Sequence, residues 1–285
     1  MLRGVNDLAA AMLEGASSFT AWRKTPTQTT GAGIWFDLSM SPGNPAPNYY
    51  ADAPLVAATM SQSANGGIPH GGAVSPLTKH LKRMVALTLT ATAVPLPLIV
   101  CDYLLFYPFV DMGTTDPQSM DNTVALPRYA DGRGVRIMTV EVAGQSGAGN
   151  PQFQVAYVNQ DGVSKVTPNI SCNTQVVNGT IITSAPNTAL SAGPFLPLAP
   201  GDSGVRSIES VTFMTPDVGL IAFVLVRPLL TSSIRTIDAP VERDAPVDFL
   251  GLPVIVDDAY LNLICLPNGT LSGAPIHGTA EFAWG

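Results

Sequence analysis

The chain has 285 residues and a formal net charge of −7, and charged residues make up only 12% of it. Hydrophobic residues make up 46%, so the chain can bury a full core and is not disordered by composition. Its four lysines and five glutamates are too few to coat many exposed helix faces, which indicates a mainly β protein. It has no basic cluster long enough to neutralise many phosphates, so we expect no direct binding of nucleic acid.

The low charge also bears on association. Soluble monomers usually resist association because their surfaces carry charges of both signs. We therefore expect this protein to bury part of its surface against partners, above all against copies of itself.

The first predicted element is a short helix over residues 5–16. Asn6 or Asp7 can cap its first turn, and Leu8 and Met12 lie on one apolar face.

An irregular segment rich in Pro and Gly follows the helix. A short strand is predicted over 34–40, and 41–48 contains three prolines, which exclude a helix or a central strand there. Residues 61–76 form another loop rich in Gly and Ser. Because irregular backbone needs hydrogen-bond partners, we expect residues 1–80 to form the helix and an extended N-terminal arm that lies on a neighbouring subunit.

Several aromatic residues lie in this arm, where no local core is evident. Aromatic side chains on an extended segment are good anchors for a pocket on a neighbour. We expect these residues to contact an adjacent subunit: Trp22, Trp35, Phe36, Tyr49 and Tyr50.

From residue 81 onward the strand pattern is regular. Turn residues such as Asp161-Gly162 separate the strands and predict a hairpin over 155–166. Many short strands at roughly ten-residue spacing predict a β-sandwich or jelly-roll-like domain over 81–285. The predicted strands are 84–94, 98–110, 133–143, 152–159, 163–170, 174–184, 205–215, 218–227, 253–265 and 277–284.

Residues 84–101 form an uncharged run of membrane-spanning length. Its threonines and prolines, and the alternation around Thr88, favour strands instead, so we expect no membrane contact. The three cysteines, Cys101, Cys172 and Cys265, are widely spaced and odd in number, which predicts buried free thiols.

Residues 201–204, Gly-Asp-Ser-Gly, resemble the segment around the nucleophile of trypsin-like serine proteases. With Ser203 as nucleophile, His70 or His80 would serve as base and Asp102 as the orienting carboxylate. This resemblance implies a serine hydrolase.

Two features favour a tight turn instead. Val205 stands where that family has a glycine, and neither histidine lies in the family's Ala-His-Cys segment. In a turn, Asp202 would accept backbone amides and Gly204 would take a positive φ, with Gly201 beside them. We therefore predict a turn and no catalytic residue.

Metal sites and cofactors are not expected either. Asp111, Asp116 and Asp121 lie five residues apart, which matches no calcium-loop pattern. The three histidines lack metal-ligand spacing.

Residues 198–211 (LAPGDSGVRSIESV) and 219–229 (GLIAFVLVRPL), with the aromatic final strand, resemble tailed-bacteriophage virion structural proteins. The resemblance is one of style over most of the chain. It implies a capsid-associated cement, decoration or head protein, located in the virion and assembled in the host cytoplasm. Implied partners are copies of itself and a major capsid protein or other virion proteins. The chain has no long charged helix of the kind typical of the major shell protein.

Two other hypotheses stay open at this stage. One is a receptor- or carbohydrate-binding β-domain of a tail or adhesin component, which requires a groove with exposed aromatic residues. The other is the serine hydrolase built on Ser203.

Overall fold

The computed structural model describes residues 2, 4–146, 150–172, 177–184, 193–237, 239–248 and 252–285. The helices are α1 (Val5–Leu13), α2 (Gln62–Asn65) and α3 (Ala245–Asp248), with 3-10 turns at Leu38–Met40, Ala91–Ala93 and Ile182–Ser184. The strands are β1 (Ser17–Lys24), β2 (Phe36–Asp37), β3 (Gly43–Asn44), β4 (Ala58–Thr59), β5 (Lys79–Thr88), β6 (Leu96–Asp111), β7 (Gln118–Ser119), β8 (Arg136–Ala143), β9 (Gln152–Asn159), β10 (Ser164–Val166), β11 (Ile170–Ser171), β12 (Val205–Phe213), β13 (Leu220–Ile234), β14 (Val241–Asp244), β15 (Val254–Ile255), β16 (Tyr260–Cys265) and β17 (Ile276–Trp284).

These strands form three sheets whose neighbouring strands are antiparallel. Sheet A has the order β14-β5-β17-β1-β3, with β15 also beside β5. Sheet B has the order β2-β16-β6-β13-β8, with β4 also beside β6. Sheet C has the order β10-β9-β12-β7, with β11 also beside β9. The prediction of a mainly β fold with a short N-terminal helix is confirmed.

Sheet B lies at the centre of the molecule. Its strands β6 and β13 are 16 and 15 residues long, and both contribute side chains to all three cores. Leu98 and Val100 at one end share a core with sheet A, and Leu105 and Tyr107 at the other end share a core with sheet C. Leu104 is the extra residue of a bulge in β6. A bulge reverses the alternation of side chains, so both cores lie on the same face of sheet B.

The opposite face of sheet B carries a third core, which includes Tyr103 and Tyr260. The N-terminal segment covers it: Met40, Tyr50 and Met60 are all buried there. Strands β1, β2 and β4 also pair with β17, β16 and β6 of the same chain.

The extended arm predicted over residues 1–80 is therefore corrected. The irregular backbone does need hydrogen-bond partners, but the chain's own later strands supply them. Strands from both sides of residue 80 share sheets, so a boundary at this position does not separate two units.

Most strands predicted after residue 81 correspond to observed ones. The hairpin over 155–166 forms with Ser164 opposite Val158. The predicted strand 174–184 lies partly outside the described residues, and its end, Ile182–Ser184, is a 3-10 turn. The predicted strand 34–40 is shortened to β2, because the side chain of Asp37 accepts the amide of Ser39 and starts a 3-10 turn.

The uncharged run over residues 84–101 belongs to β5, a 3-10 turn and β6. Among the described residues, no helix has both the length and the apolar character needed to span a bilayer. Cys101, Cys172 and Cys265 are buried free thiols, as predicted.

Candidate functional site

The five aromatic residues predicted as anchors for a neighbour have different positions. Trp22, Phe36 and Tyr50 are buried inside the chain itself, so the anchor hypothesis is wrong for these three. Trp35 is partly buried and packs against the third core. Tyr49 alone is well exposed, at 56%.

Tyr50 belongs to a buried polar cluster around Asp37. The Asp37 carboxylate accepts hydrogen bonds from the hydroxyls of Tyr50, Ser39 (2.6 Å) and Tyr103 (2.7 Å). Burial raises the pKa of Asp37, and these hydrogen bonds oppose the shift. The cluster joins the N-terminal segment to β6, so it stabilises the packing of this segment against sheet B.

Lys24 reinforces the same segment. Its Nζ donates to the carbonyl oxygens of Pro45 (2.9 Å) and Ser41 (3.1 Å). Burial lowers the pKa of Lys24 to about 8, and the nearby Asp37 carboxyl opposes this shift. A buried lysine at this position is invisible to hydrophobic patterning, which explains why sequence analysis missed β1.

The turn in this region lies over 199–202, where the Asp202 amide donates to the Ala199 carbonyl oxygen (3.1 Å), so it includes Gly201 and Asp202 but not Gly204. Gly201 takes the positive φ (91°), not Gly204. Gly204 is required for another reason, since a Cβ there would lie 1.9 Å from the carbonyl oxygen of Gly132. The Asp202 carboxylate accepts side-chain donors, Tyr157 Oη (2.6 Å) and Asn159 Nδ2 (2.8 Å), instead of backbone amides.

The residues of the hypothetical triad have other partners. Asp102 is held by Arg128 through two hydrogen bonds of 2.7 and 3.0 Å, and it also accepts the amide of Tyr260. His80 contacts the carbonyl oxygen of Leu252. Asp102 is therefore not available to orient a histidine.

His70 is also fully engaged. Lys79 Nζ donates to His70 Nδ1 at 3.1 Å, so Nε2 carries the proton and donates to the carbonyl oxygen of Ala259 at 2.9 Å. Burial, and secondly the Lys79 ammonium, lower the pKa of His70 to about 4. Neither ring nitrogen can act as the base for Ser203 in this arrangement.

The acidic residues form no metal centre among the described residues, where no group of three potential ligands is found. Asp111 instead accepts the amide of Gly113, and Asp258 accepts the amide and hydroxyl of Ser63. Glu141 differs from these acidic residues in surface turns, because it lies buried on β8. Burial raises the pKa of Glu141 to about 8, the amides of Gln145 and Val177 oppose the shift, and Asp217 adds to it.

The cavities give little support to a small-molecule site. The cavity beside the exposed Tyr49 measures about 100 Å³, well below the usual size of ligand pockets. A larger one of about 410 Å³ is lined by Tyr129 and Arg227. The Arg227 guanidinium lies 4.2 Å from the Tyr129 ring centroid and donates to the Arg133 carbonyl oxygen, so both groups are engaged with the protein.

Large apolar side chains are exposed on α1 and β1, two elements adjacent in the sequence. Leu13 is 89% exposed, Val5 70% and Phe19 65%. Only Leu8 and Ala11 of the helix are buried. Sequence analysis recognised the helix but expected its neighbouring aromatic residues, not Phe19, to be the exposed ones.

Some ionisable residues lie inside the chain and not on its surface. The chain has 14 basic and 21 acidic residues, and six of the described ones are buried. These six are Lys24, Asp37, Lys79, Asp102, Arg128 and Glu141.

Comparisons with known proteins add little. No model of a known protein family matches the sequence, and no curated protein matches it significantly. Among solved structures, the chain is similar to the VP2 subviral particle of infectious bursal disease virus, with 8% identity and a TM-score of 0.19, over 94% of this chain and 80% of that one. The Gt strain of the same virus gives 8% identity and a TM-score of 0.16, over 94% and 81%. Scores this low carry no argument about fold or function.

Proposed function

We propose that the chain is a structural virion protein that assembles with copies of itself and with other shell proteins, as a cement, decoration or head protein of a phage capsid. Its role is to stabilise a particle through contacts between subunits, without catalysis. Residues 198–211 and 219–229 support the phage assignment through their resemblance to such proteins.

One observation carries the proposal: the chain is poor in charge and leaves large apolar side chains exposed on α1 and on β1, which are adjacent in the sequence. Contiguous exposed apolar residues mark interaction sites on soluble proteins. The buried ion pair and polar clusters all bind elements of this chain to each other, so they stabilise the subunit and leave the surface free for assembly.

Light scattering coupled to size-exclusion chromatography tests self-association of the purified full chain over a wide range of concentration. Negative-stain electron microscopy of the same material tests whether it forms or coats particles. We expect oligomers that grow with concentration and a regular assembly on the grid.

A monomer at every concentration, with no binding to particles, would contradict the proposal. Labelling of Ser203 by a fluorophosphonate probe would contradict it in a different way, by reinstating the serine hydrolase.

A further inference from the structure

Strand edges expose unpaired N–H and C=O groups, and proteins usually protect them with charge, proline, bulges or short length. In sheet A, β14 carries Glu242, Arg243 and Asp244. In sheet C, β10 has three residues, including Lys165. In sheet B, the free side of β8 is covered. The Glu141 amide donates to the Thr180 carbonyl oxygen, and the Gly179 amide donates to the Glu141 carbonyl oxygen.

Strand β1 has none of these protections over residues 17–22. This stretch contains no charge and no proline, and its register with β17 runs without a bulge. On its other side, β3 pairs only with Arg23 and Lys24, so no described strand pairs with 17–22 there.

The backbone groups that face this open edge can be identified. The carbonyl oxygen of Arg23 points to β3, because a Cβ at Gly43 would come within 2.0 Å of it. Peptide groups alternate along a strand, so the N–H and C=O of Ser17, Phe19 and Ala21 point the same way. The Ala21 oxygen accordingly accepts Asn44 Nδ2 at 3.4 Å.

We infer that this edge binds β1 of a second copy of the chain, antiparallel and related by a two-fold axis, with Phe19 opposite Phe19 of the partner subunit. In this register Ser17 lies opposite the partner's Ala21, so outward-facing residues meet outward-facing residues. The Ala21 oxygen would exchange its long bond to Asn44 Nδ2 (3.4 Å) for the amide of the partner's Ser17. Sheet A then continues across the dimer, and the two exposed Phe19 rings lie side by side.

Charge complementarity specifies the direction. The stretch 15–22 is flanked by Glu14 on one side and by Arg23 on the other, both exposed. Antiparallel pairing centred on Phe19 brings the partner's Glu14 towards the Arg23 side chain, while the Arg23 backbone keeps its pairing with β3. Parallel pairing would instead place like charges together, which is unfavourable.

This inference rests on the proposed function, because it names one contact by which the subunits would assemble. It is the kind of isologous contact that two-fold dimers use, in which one patch binds itself. Leu13 and Val5 of α1, the element before β1 in the sequence, are also exposed.

Charge variants of the full chain test the contact. Phe19→Lys places two lysines opposite each other at the two-fold axis, and we expect self-association to weaken roughly tenfold or more. Val166→Lys is the matched control, since Val166 is a 51% exposed residue on β10. Both sites are exposed, so circular dichroism and thermal melting should match the wild type.

A charge swap tests the register itself. Ser17→Lys with Ala21→Lys should weaken association, whereas Ser17→Lys with Ala21→Glu should restore it, because residue 17 faces residue 21 of the partner. Phe19→Cys should also form a covalent dimer on oxidation, while Val166→Cys should not, and the three native thiols are buried.

The outcomes separate the two proposals. If the wild type assembles and the Phe19→Lys and double-lysine variants assemble equally well, the edge contact is wrong and the proposed function stands. If the charge swap does not restore association, the antiparallel register is wrong. If the wild type is monomeric, the proposed function fails together with the contact.

Discussion

Glu141→Gln is expected to stabilise the protein in a pH-dependent way. Glu141 is fully buried, and burial raises its pKa from 4.5 to about 8. Between these two pH values the folded protein keeps the proton while the unfolded chain loses it, so the wild type loses stability as the pH rises. Below pH 4.5 both states are protonated, and above about pH 8 both are ionised.

The magnitude follows from the shift. Each pH unit between the two pKa values is worth about 1.4 kcal/mol, so the carboxyl destabilises the wild type by about 3 kcal/mol at pH 7 relative to pH 4.5. Glutamine does not titrate. The difference in unfolding free energy between Glu141→Gln and the wild type should therefore grow by about 3 kcal/mol over that interval, whatever constant amount the buried amide costs.

Urea denaturation at a series of pH values measures this difference at matched protein concentration. Val166→Gln is the control, because Val166 is a 51% exposed residue on β10 and its replacement adds or removes no titrating group. A constant difference between Glu141→Gln and the wild type from pH 4.5 to 7 would refute the reasoning.

Three further predictions concern other buried groups. The lowered pKa of His70, about 4 against 6.5, means that stability is lost as the pH falls through this window, by about 3 kcal/mol in urea denaturation, and His70→Gln should remove this loss. Asp102→Asn leaves the buried Arg128 guanidinium without a countercharge, and the unfolding free energy should fall by about 3–5 kcal/mol; a loss below 1 kcal/mol would contradict the assignment. Gly204→Ala forces a methyl group against the Gly132 carbonyl and should cost roughly 1–3 kcal/mol in thermal or chemical melts, whereas unchanged stability would show that the two loops separate easily.

The strands after residue 81 could be predicted because their evidence is local. Alternation and turn residues predicted the hairpin over 155–166, and the structure pairs Ser164 with Val158 within it. A turn was also predicted at 201–204, but the structure places it at 199–202 and gives Asp202 partners that the sequence did not indicate. Asp202 binds Tyr157 and Asn159, which are more than forty residues earlier, and no local pattern indicates such partners.

The N-terminal third could not be placed from sequence for the same reason. Trp22 and Tyr50 lie in segments that contain no core of their own, and the sequence offered no means of deciding which surface covers them. The Asp37 cluster and the pairing of β1 with β17 join residues separated by up to 266 positions, Ser17 with Ala283 being the extreme pair. The free edge of β1 became visible only once that pairing was known.

Composition and alternation by themselves determined the β class, the unpaired cysteines and the low charge content, because each depends on residue type or on near neighbours in the chain. The tertiary structure alone decided that the irregular N-terminal segment covers its own sheet B, and that Phe19 instead of Trp22 remains exposed. The backbone of the N-terminal segment needs hydrogen-bond partners, but this need does not say whether they come from the same chain or from a neighbour. The packing around the long strands β6 and β13 decided that they come from the same chain.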